Sequence, residues 1–419
     1  LAFREILAAN GEDDFLLKSL WILNHYAISP DMPGGTRHFD LARELTKSGI
    51  EVTIFASGFD HSTRKYVKVT PGIKMKIELY DGVRFVWINT LPYSGNDWRR
   101  ILNMLSYSWR VLGCTREFSK PDVIIGSSMH PFAALAGWWL ARRYGAKFIF
   151  EVRDLWPQVL IDMGKMSEYN PVVRLLRRLE LFLYRKSERI IILGRQMRDY
   201  IARYNVSMDK IVWIPNGVDL ARFNGISPIK KNTSEFLLMY LGSHSKTNAL
   251  HILIEAAKII QDRGYENIRF FLIGDGPEKQ NLIQLADRLQ LKNIEFCKSV
   301  PKDEVPKVLM RADALVLTKD PTFGAYSGSI LKMFDYMASY RPIIFSGELS
   351  YNPVAESHCG YTVPPGDSKA LADAVIALYN IPENERVALG YRGREFVEKH
   401  HDIRILAKRL EETLNEVCN

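Results

Sequence analysis

Two doubly wound α/β domains in tandem are the fold class this sequence predicts, each a parallel sheet with helices on both faces. Three observations point there. Short apolar runs alternate with amphipathic helical stretches from Ser19 onward. The alternation restarts at Phe236. Between the two runs, somewhere in Phe223–Glu235, the residues Gly225, Pro228 and Lys230-Lys231-Asn232 read as a linker. The 419 residues are 47% hydrophobic, 25% charged and 11% aromatic, a globular composition that excludes a disordered tail, a collagen and a coiled-coil rod.

Residues 1–18 carry the acidic run Glu12-Asp13-Asp14 and no small-residue cleavage site, and they read as an extension outside the fold. SLWILNH then reads as a buried strand, closed by the turn signals of SPDMPGG. TRHFDLARELTKSG is an amphipathic helix with Phe39, Leu41, Ala42 and Leu45 on its apolar side and Gly49 as its stop. EVTIFAS follows, giving a strand–helix–strand unit with a right-handed crossover. DVIIGS, KFIFE, IIILG and Ile211–Ile214 continue the first domain. In the second, FLLMYLG, IRFFLIGDG, NIEFCKS, ALVLT and PIIFSG are strands, with ALHILIEAAKIIQDRG and PEKQNLIQLADRLQL among the helices between them. The longest apolar stretch, PFAALAGWWLA, has eleven residues and runs into Arg142-Arg143, too short to span a bilayer. Cys114, Cys297, Cys359 and Cys418 are far apart with no C-x-x-C, so neither a zinc site nor a disulfide scaffold is encoded, and a reducing cytosol is the natural setting.

Open parallel sheets bind ligands beyond the carboxyl ends of their strands, so the site should lie in the cleft between the domains. Gly34-Gly35 sits in the first strand-to-helix loop, ahead of Arg37, where two glycines let backbone approach an anion; the alternative is a plain flexible connection. His130 follows DVIIGS, placed to meet a sugar hydroxyl or a developing charge. Glu151 and Asp154 flank Arg153 in EVRDLWP, either to orient an acceptor hydroxyl or as an ordinary ion-paired loop. In the second domain Gly274-Asp275-Gly276 closes a strand without a G-x-G-x-x-G run or a P-loop Lys-Ser/Thr, which disfavours nicotinamide and ATP-motor functions. Lys246, just past Gly242, offers a point charge to a diphosphate, against a solvated loop lysine as the plainer reading. Ser327, Gly328 and Ser329 open a helix on which Asp335 lies eight residues after Ser327, placed to accept both hydroxyls of a ribose.

With these motifs in order, the chain resembles the family-four retaining glycosyltransferases of the GT-B fold, along essentially all of residues 19–419. The resemblance rests on HYAISPDMPGGTRHFDLARELTKSGIEVTIFAS, PNGVDLARF, IGDGPE, NIEFCKSVPKDEVPKVLMRADALVLT and DYMASYRPII. EVRDLWP looks most like the branch that builds bacterial surface polysaccharides, lipopolysaccharide among them, including its amino-deoxysugar transferases. What it implies is transfer of a sugar from a nucleotide diphosphate, UDP by preference, with retention at the anomeric carbon. The donor lies on the C-terminal domain and the acceptor on the N-terminal one, where Arg37, Glu151 and Asp154 would meet it. Asp335 matches the second acid of the family's E-x7-E motif, and Ser327 stands where the first acid would be. Lys332 reaches the diphosphate, Gly34-Gly35 face it, and His130 contacts the donor sugar. Lys246 matches a phosphate-binding basic residue in a loop, GSHSKTNAL, that keeps Gly242 but lacks the later glycines. Backbone near Val300 selects the base. PNGVD reads as structural, with Gly217 supplying a turn near the hinge.

The sequence has no D-x-D pair, so neither a metal nor another cofactor is expected and the leaving phosphate is stabilised electrostatically. A sugar-nucleotide epimerase and a non-catalytic relative are the alternative functions. Residues 1–222 hold 32 Lys and Arg against 23 Asp and Glu, whereas 223–419 hold 24 against 25. Basic amphipathic stretches at 98–120 and 171–189 suit an anionic inner-membrane face, where a polyprenyl-diphosphate-linked acceptor would sit and the protein would be cytoplasmic and peripheral. Neither stretch resembles a nucleic-acid module.

Overall fold

The computed structural model describes residues 17–95, 97–226, 234–321 and 329–419. Ten strands form the first half: β1 Ser19–Leu23, β2 Glu51–Ser57, β3 Phe59–Asp60, β4 Lys65–Tyr66, β5 Met75–Tyr80, β6 Val83–Ile88, β7 Val123–Ser128, β8 Lys147–Val152, β9 Arg189–Ile192 and β10 Ile211–Trp213. Eight of them make one sheet in the order β10-β9-β8-β7-β1-β2-β6-β5, and β3–β4 pair separately. Every pairing in the large sheet is parallel except β5–β6. That edge hairpin escaped the sequence reading. Its turn is Asp81-Gly82 with φ of 45° and 83°, the positive-φ pair a two-residue hairpin needs.

Strands β11 Phe236–Leu241, β12 Ile268–Ile273, β13 Ile294–Cys297, β14 Ala314–Thr318, β15 Ile343–Ser346 and β16 Gly360–Val363 form the second sheet. Its order is β13-β12-β11-β14-β15-β16, parallel throughout. The longer helices are α1 Arg37–Lys47, α2 Trp98–Cys114, α3 Pro131–Tyr144, α4 Pro171–Lys186, α5 Leu250–Asp262, α6 Lys279–Arg288, α7 Leu331–Ala338, α8 Ser368–Asn380, α9 Glu383–His400 and α10 Ile403–Cys418.

Helices cover both faces of each sheet, as the burial of two-sided parallel strands requires. On the first sheet α2, α3 and α4 pack on one face. The apolar run of α3 belongs to this core: small residues let the helix press on β7, and a Cβ on Gly126 would stand 2.8 Å from Ala134 Cα. The other face carries α1 together with the last helix of the chain. Ile403, Leu406, Ala407, Leu410, Leu414 and Val417 of α10 sit in the same cluster as Phe39 and Leu45 of α1, a spacing that gives α10 one apolar stripe. Leu17, two residues before Ser19, is buried in that cluster too.

The chain crosses between domains earlier than the linker placed at Phe223–Glu235. Val218, Leu220 and Phe223 already pack in the second domain's core. Apolar side chains rather than loop composition decide that boundary. The return crossing runs alongside: Val218 N–H donates to His401 O at 2.9 Å and Ile403 N–H to Val218 O at 3.0 Å. Gly217 is required by this contact and not by a left-handed turn, because a Cβ there would lie 2.5 Å from His401 O.

Candidate functional site

The two sheets meet through their strand-to-helix loops. A Cβ on Gly35 would strike Leu331 Cδ2 at 2.2 Å, so the Gly34-Gly35 loop lies against the start of α7. Gly34 itself has φ of 132°, a conformation that favours glycine.

On the C-terminal wall stand Lys332, Lys319 and Lys302. Lys332, in the first turn of α7, donates to Tyr240 Oη at 2.7 Å and stands 4.6 Å above that ring. Its ammonium presses on Gly242, where a Cβ would be 2.6 Å from Nζ. No carboxylate among the described residues pairs with it. Burial, with some help from Lys319, holds its pKa well below the usual lysine range. Lys319, just past β14, reaches Asn248 Oδ1 at 3.1 Å. Burial pulls it down to about 8, against the attraction of Asp154 on the opposite domain. Lys302 donates to Asp335 at 2.6 Å.

Behind them, the loops after β11 and β12 are stitched together: Gly242 N–H donates to Ile273 O, His244 N–H to Asp275 O and Glu278 N–H to His244 O, at 2.9, 2.8 and 3.0 Å. Gly274 must be glycine, since its φ is 149° and a Cβ would meet Gly242 O at 1.9 Å. His244 is buried with neither ring nitrogen partnered among the described residues. Burial and then Lys279 bring its pKa to about 4, so the ring is neutral. Ser329 Oγ is likewise buried without a partner among the described residues.

The N-terminal wall is built differently. His130 is 1% exposed and caps α3: Nδ1 accepts from Ala133 N–H at 3.3 Å, while Nε2 meets His25 Nδ1 at 2.8 Å. With Nδ1 accepting, Nε2 carries the proton and donates to His25. Burial, then Arg100, drops its pKa to about 3. Glu151, 3% exposed, accepts from Arg37 Nε at 3.1 Å, His38 Nε2 at 2.6 Å and Ser127 Oγ at 2.5 Å. Burial pushes this carboxyl up, but His38 and Arg37 outweigh it and hold it well below the usual range. The network is therefore fully formed at neutral pH and fails only in acid, as pH falls through that depressed value. Arg37 spends its remaining donors on the backbone oxygens of Ile214 and Pro215 at the crossing.

Several expectations change accordingly. Arg37 and Glu151 face each other in a buried ion pair and not an acceptor, which is the ordinary alternative for the EVRDLWP loop. Burial raises the Asp154 carboxyl against the pull of Arg153 and then of Lys319 on the opposite domain. Both nitrogens of His130 are already used. Lys246 is exposed on a short 3-10 turn, whereas Lys319 and Lys332 are each half-buried. Asp275 is exposed and accepts from Gly276 N–H at 2.9 Å, so it shapes its own turn. Asp335 carries Lys302, and Val300 packs at the edge of the second domain's core. Ser327 and Gly328 lie outside the described residues. Sequence reading missed His25, His38, Tyr240, His244, Lys302 and Lys319. Lys319 had a usable signal, since it ends the strand ALVLT as Lys246 follows FLLMYLG; the others had none.

Among the described residues no three His, Cys, Asp or Glu side chains gather as a metal site, and no helix is long and apolar enough to cross a membrane.

Comparison with known proteins agrees with this architecture. Residues 34–222 match Glycosyltransferase Family 4 and residues 235–380 match Glycosyl transferases group 1. The Pseudomonas aeruginosa protein named "Probable glycosyltransferase WbjE" is 25% identical over 62% of this chain and 66% of its own length. "Capsular polysaccharide biosynthesis glycosyltransferase CapM" of Staphylococcus aureus is 29% identical over 43% and 46%. The chain thus spans less than two thirds of either relative. Anabaena Alr3699/HepE, solved in complex with UDP and glucose, superposes with a TM-score of 0.66 at 14% identity, covering 95% of this chain and 99% of that one. By these matches the first domain belongs to Glycosyltransferase Family 4 and the second to Glycosyl transferases group 1, on a GT-B fold.

Proposed function

We propose that this protein moves a sugar from a UDP-linked donor to a lipid-linked or glycan acceptor of a bacterial surface polysaccharide, with retention at the anomeric carbon and without a metal. The observation that carries the reading is Lys332, a half-buried side chain whose ammonium is withdrawn from solvent with no acid beside it among the described residues. A buried charge is stable only when something pairs with it. Lys332 and Lys319 together sit where a diphosphate would supply that pair, with the backbone of Gly34-Gly35 opposite. HepE, of the same fold, holds UDP and glucose, and CapM is named for polysaccharide synthesis.

In this mechanism the donor's C1–O bond breaks as the acceptor oxygen bonds to C1 from the same face. The developing charge on the β-phosphate is stabilised by the two ammoniums, and the phosphate oxygen takes the acceptor's proton. Asp335 holds the ribose. Neutral His130 and His25 shape the opposite wall, and Asp154 lies across from Lys319.

A membrane-facing surface fits the acceptor. Helices α2, α3 and α4 are neighbours. Trp98 and Trp109 of α2 are 63% and 78% exposed, and Ile101, Leu102, Leu105, Trp139, Val172 and Leu175 join them on the outside. Arginines at 99, 116, 142, 143, 174 and 178 lie on the same helices and the turn after α2. An open groove of about 580 Å³ beside Trp109, lined also by Tyr66, Ile73, Lys74 and Arg110, adjoins this face. We place the protein at the inner face of the membrane on these grounds.

The deciding assay is transfer from labelled UDP-sugars to membrane-lipid acceptors in EDTA, with the product anomer read by NMR. Transfer in EDTA with the donor's anomeric configuration is the result expected. An inverted anomer, or activity that Mg²⁺ alone restores, would sink the mechanism.

A further inference from the structure

Strand β5 is an open edge of the first sheet: among the described residues no strand lies beyond it. Its ladder with β6 sets Tyr80 opposite Val83 across the two-residue turn, so Lys76, Glu78 and Tyr80 fall where backbone bonds are exchanged with β6. The same alternation reaches Lys74, whose carbonyl accepts from Asn89 N–H at 3.2 Å. Met75, Ile77 and Leu79 therefore turn their N–H and C=O groups outward, a row that can take another strand. Ile77 and Leu79 are 51% and 69% exposed, and by the pleat they share the face on which Met75 packs against the α2 side of the core. On the other face Lys76 bonds Glu78 at 2.6 Å, and Glu78 accepts from Trp87 Nε1 at 2.8 Å.

We propose that β5 pairs antiparallel with β5 of a second copy of this chain, about a two-fold axis at Ile77, so that one sheet runs through a dimer. The edge itself selects the register. Outward groups must meet outward groups, and the axes that do this with most of the strand overlapped pass through residue 76, 77 or 78. An axis at Lys76 or Glu78 sets like charges directly opposite each other in the closely spaced pair, which is unfavourable. The axis at Ile77 sets Lys76 opposite the other copy's Glu78 twice, Ile77 opposite Ile77, and Leu79 opposite Met75. A second copy is thus the strand this edge complements, in charge and in apolar side chains together. The two-fold stands perpendicular to the sheet, so α2, α3 and α4 of both copies emerge on one side. That arrangement lets both copies sit on one membrane under the function proposed above, but the pairing does not depend on it.

The test is sedimentation of the full chain without nucleotide or lipid. A single pair of strands is a small interface, so the series runs up to about 100 μM. Wild type is expected to pass reversibly from monomer to dimer as concentration rises. Ile77→Pro removes the two N–H donors at the axis, which point away from β6, so it should fold as wild type does and associate about tenfold more weakly. Lys76→Glu sets acid against acid and should weaken the dimer by a similar factor, whereas Lys76→Arg should keep it. Cysteine variants read the register, with wild type as the control for its own thiols. Two copies of Ile77→Cys meet with Cα atoms about 5.5 Å apart and should crosslink on mild oxidation; those of Leu79→Cys stand four residues, about 14 Å, apart along the strands and should not. A wild type that stays monomeric, a dimer that Ile77→Pro and Lys76→Glu leave intact, or Leu79→Cys crosslinking as fast as Ile77→Cys overturns the proposal. Where the proline variant fails to fold, Lys76→Glu and the crosslinks decide.

Discussion

The two walls of the cleft handle charge in opposite ways. On the N-terminal wall buried ionisable groups pair with one another: Glu151 takes Arg37 and His38, and His130 takes His25. The basic excess of that half lies outside, on α2, α3 and α4. On the C-terminal wall the half-chain's charge nearly balances, yet Lys332 has no acid beside it among the described residues, and burial lowers Lys319 against the attraction of Asp154 across the gap. A wall whose charges cancel is a scaffold. On the function proposed above, a wall with surplus charge is the one that takes an anion, and the net charge of each half points the wrong way for finding it.

The largest effect expected is on the scaffold side. Glu151→Ala strands Arg37 and His38, and breaking a buried pair costs about 3–5 kcal/mol. The melting midpoint should fall by several degrees, while UDP affinity of the folded fraction stays as it was. Lys332→Met should do the reverse. Removing an unpaired buried charge holds or raises the midpoint, and UDP binding by calorimetry should weaken about 100-fold, the scale of a lost buried charge contact. If both variants change stability and affinity alike, the contrast between walls is wrong.

The outward charge of the first half is tested with anionic liposomes. Arg99→Gln should weaken partition by about fivefold, at about 1 kcal/mol per basic residue near the surface, and Trp109→Ala by a similar factor. Unchanged partition would return these helices to an ordinary solvated face.

The walls should also fail at opposite ends of the pH scale. His130 is held neutral with a pKa of about 3. The unfolded ring protonates near its usual 6.5 or so, so stability from this wall declines as pH falls from there towards 3. Lys319, lowered to about 8, loses its charge as pH rises through that value, so UDP affinity should be full below it and fall above. A binding curve flat from pH 7 to 9 would remove Lys319 from the site. His130→Asn keeps an N-cap acceptor but takes away His25's buried partner, so it should cost about 1–3 kcal/mol by thermal melting.

Much of the fold was legible because period and burial agree: the core strands of both sheets and helices α1, α5 and α6 follow from apolar spacing alone. The edge hairpin β5–β6 was harder, since Ile77 and Leu79 are exposed there and carry no burial pattern. Within the site, Lys332 and Asp335 were reached through family resemblance, and the loop glycines through strand-end position. Side-chain partnership was not legible. Nothing local distinguishes Lys302, which finds an acid 33 residues away, from Lys246, which finds none among the described residues. Arg37 and Glu151 looked like cleft residues because both follow strands, and only the fold shows them 114 residues apart and in contact.

The most direct measurement is the melting midpoint in EDTA, with and without UDP, for wild type, Lys332→Met and Asp335→Ala. Ligand at a hundred times its dissociation constant adds about 2.7 kcal/mol, a shift of a few degrees. The surplus-charge wall predicts a UDP response in wild type, no response in Lys332→Met despite an equal or higher starting midpoint, and a reduced one in Asp335→Ala. A UDP response in Lys332→Met equal to that of wild type would contradict it.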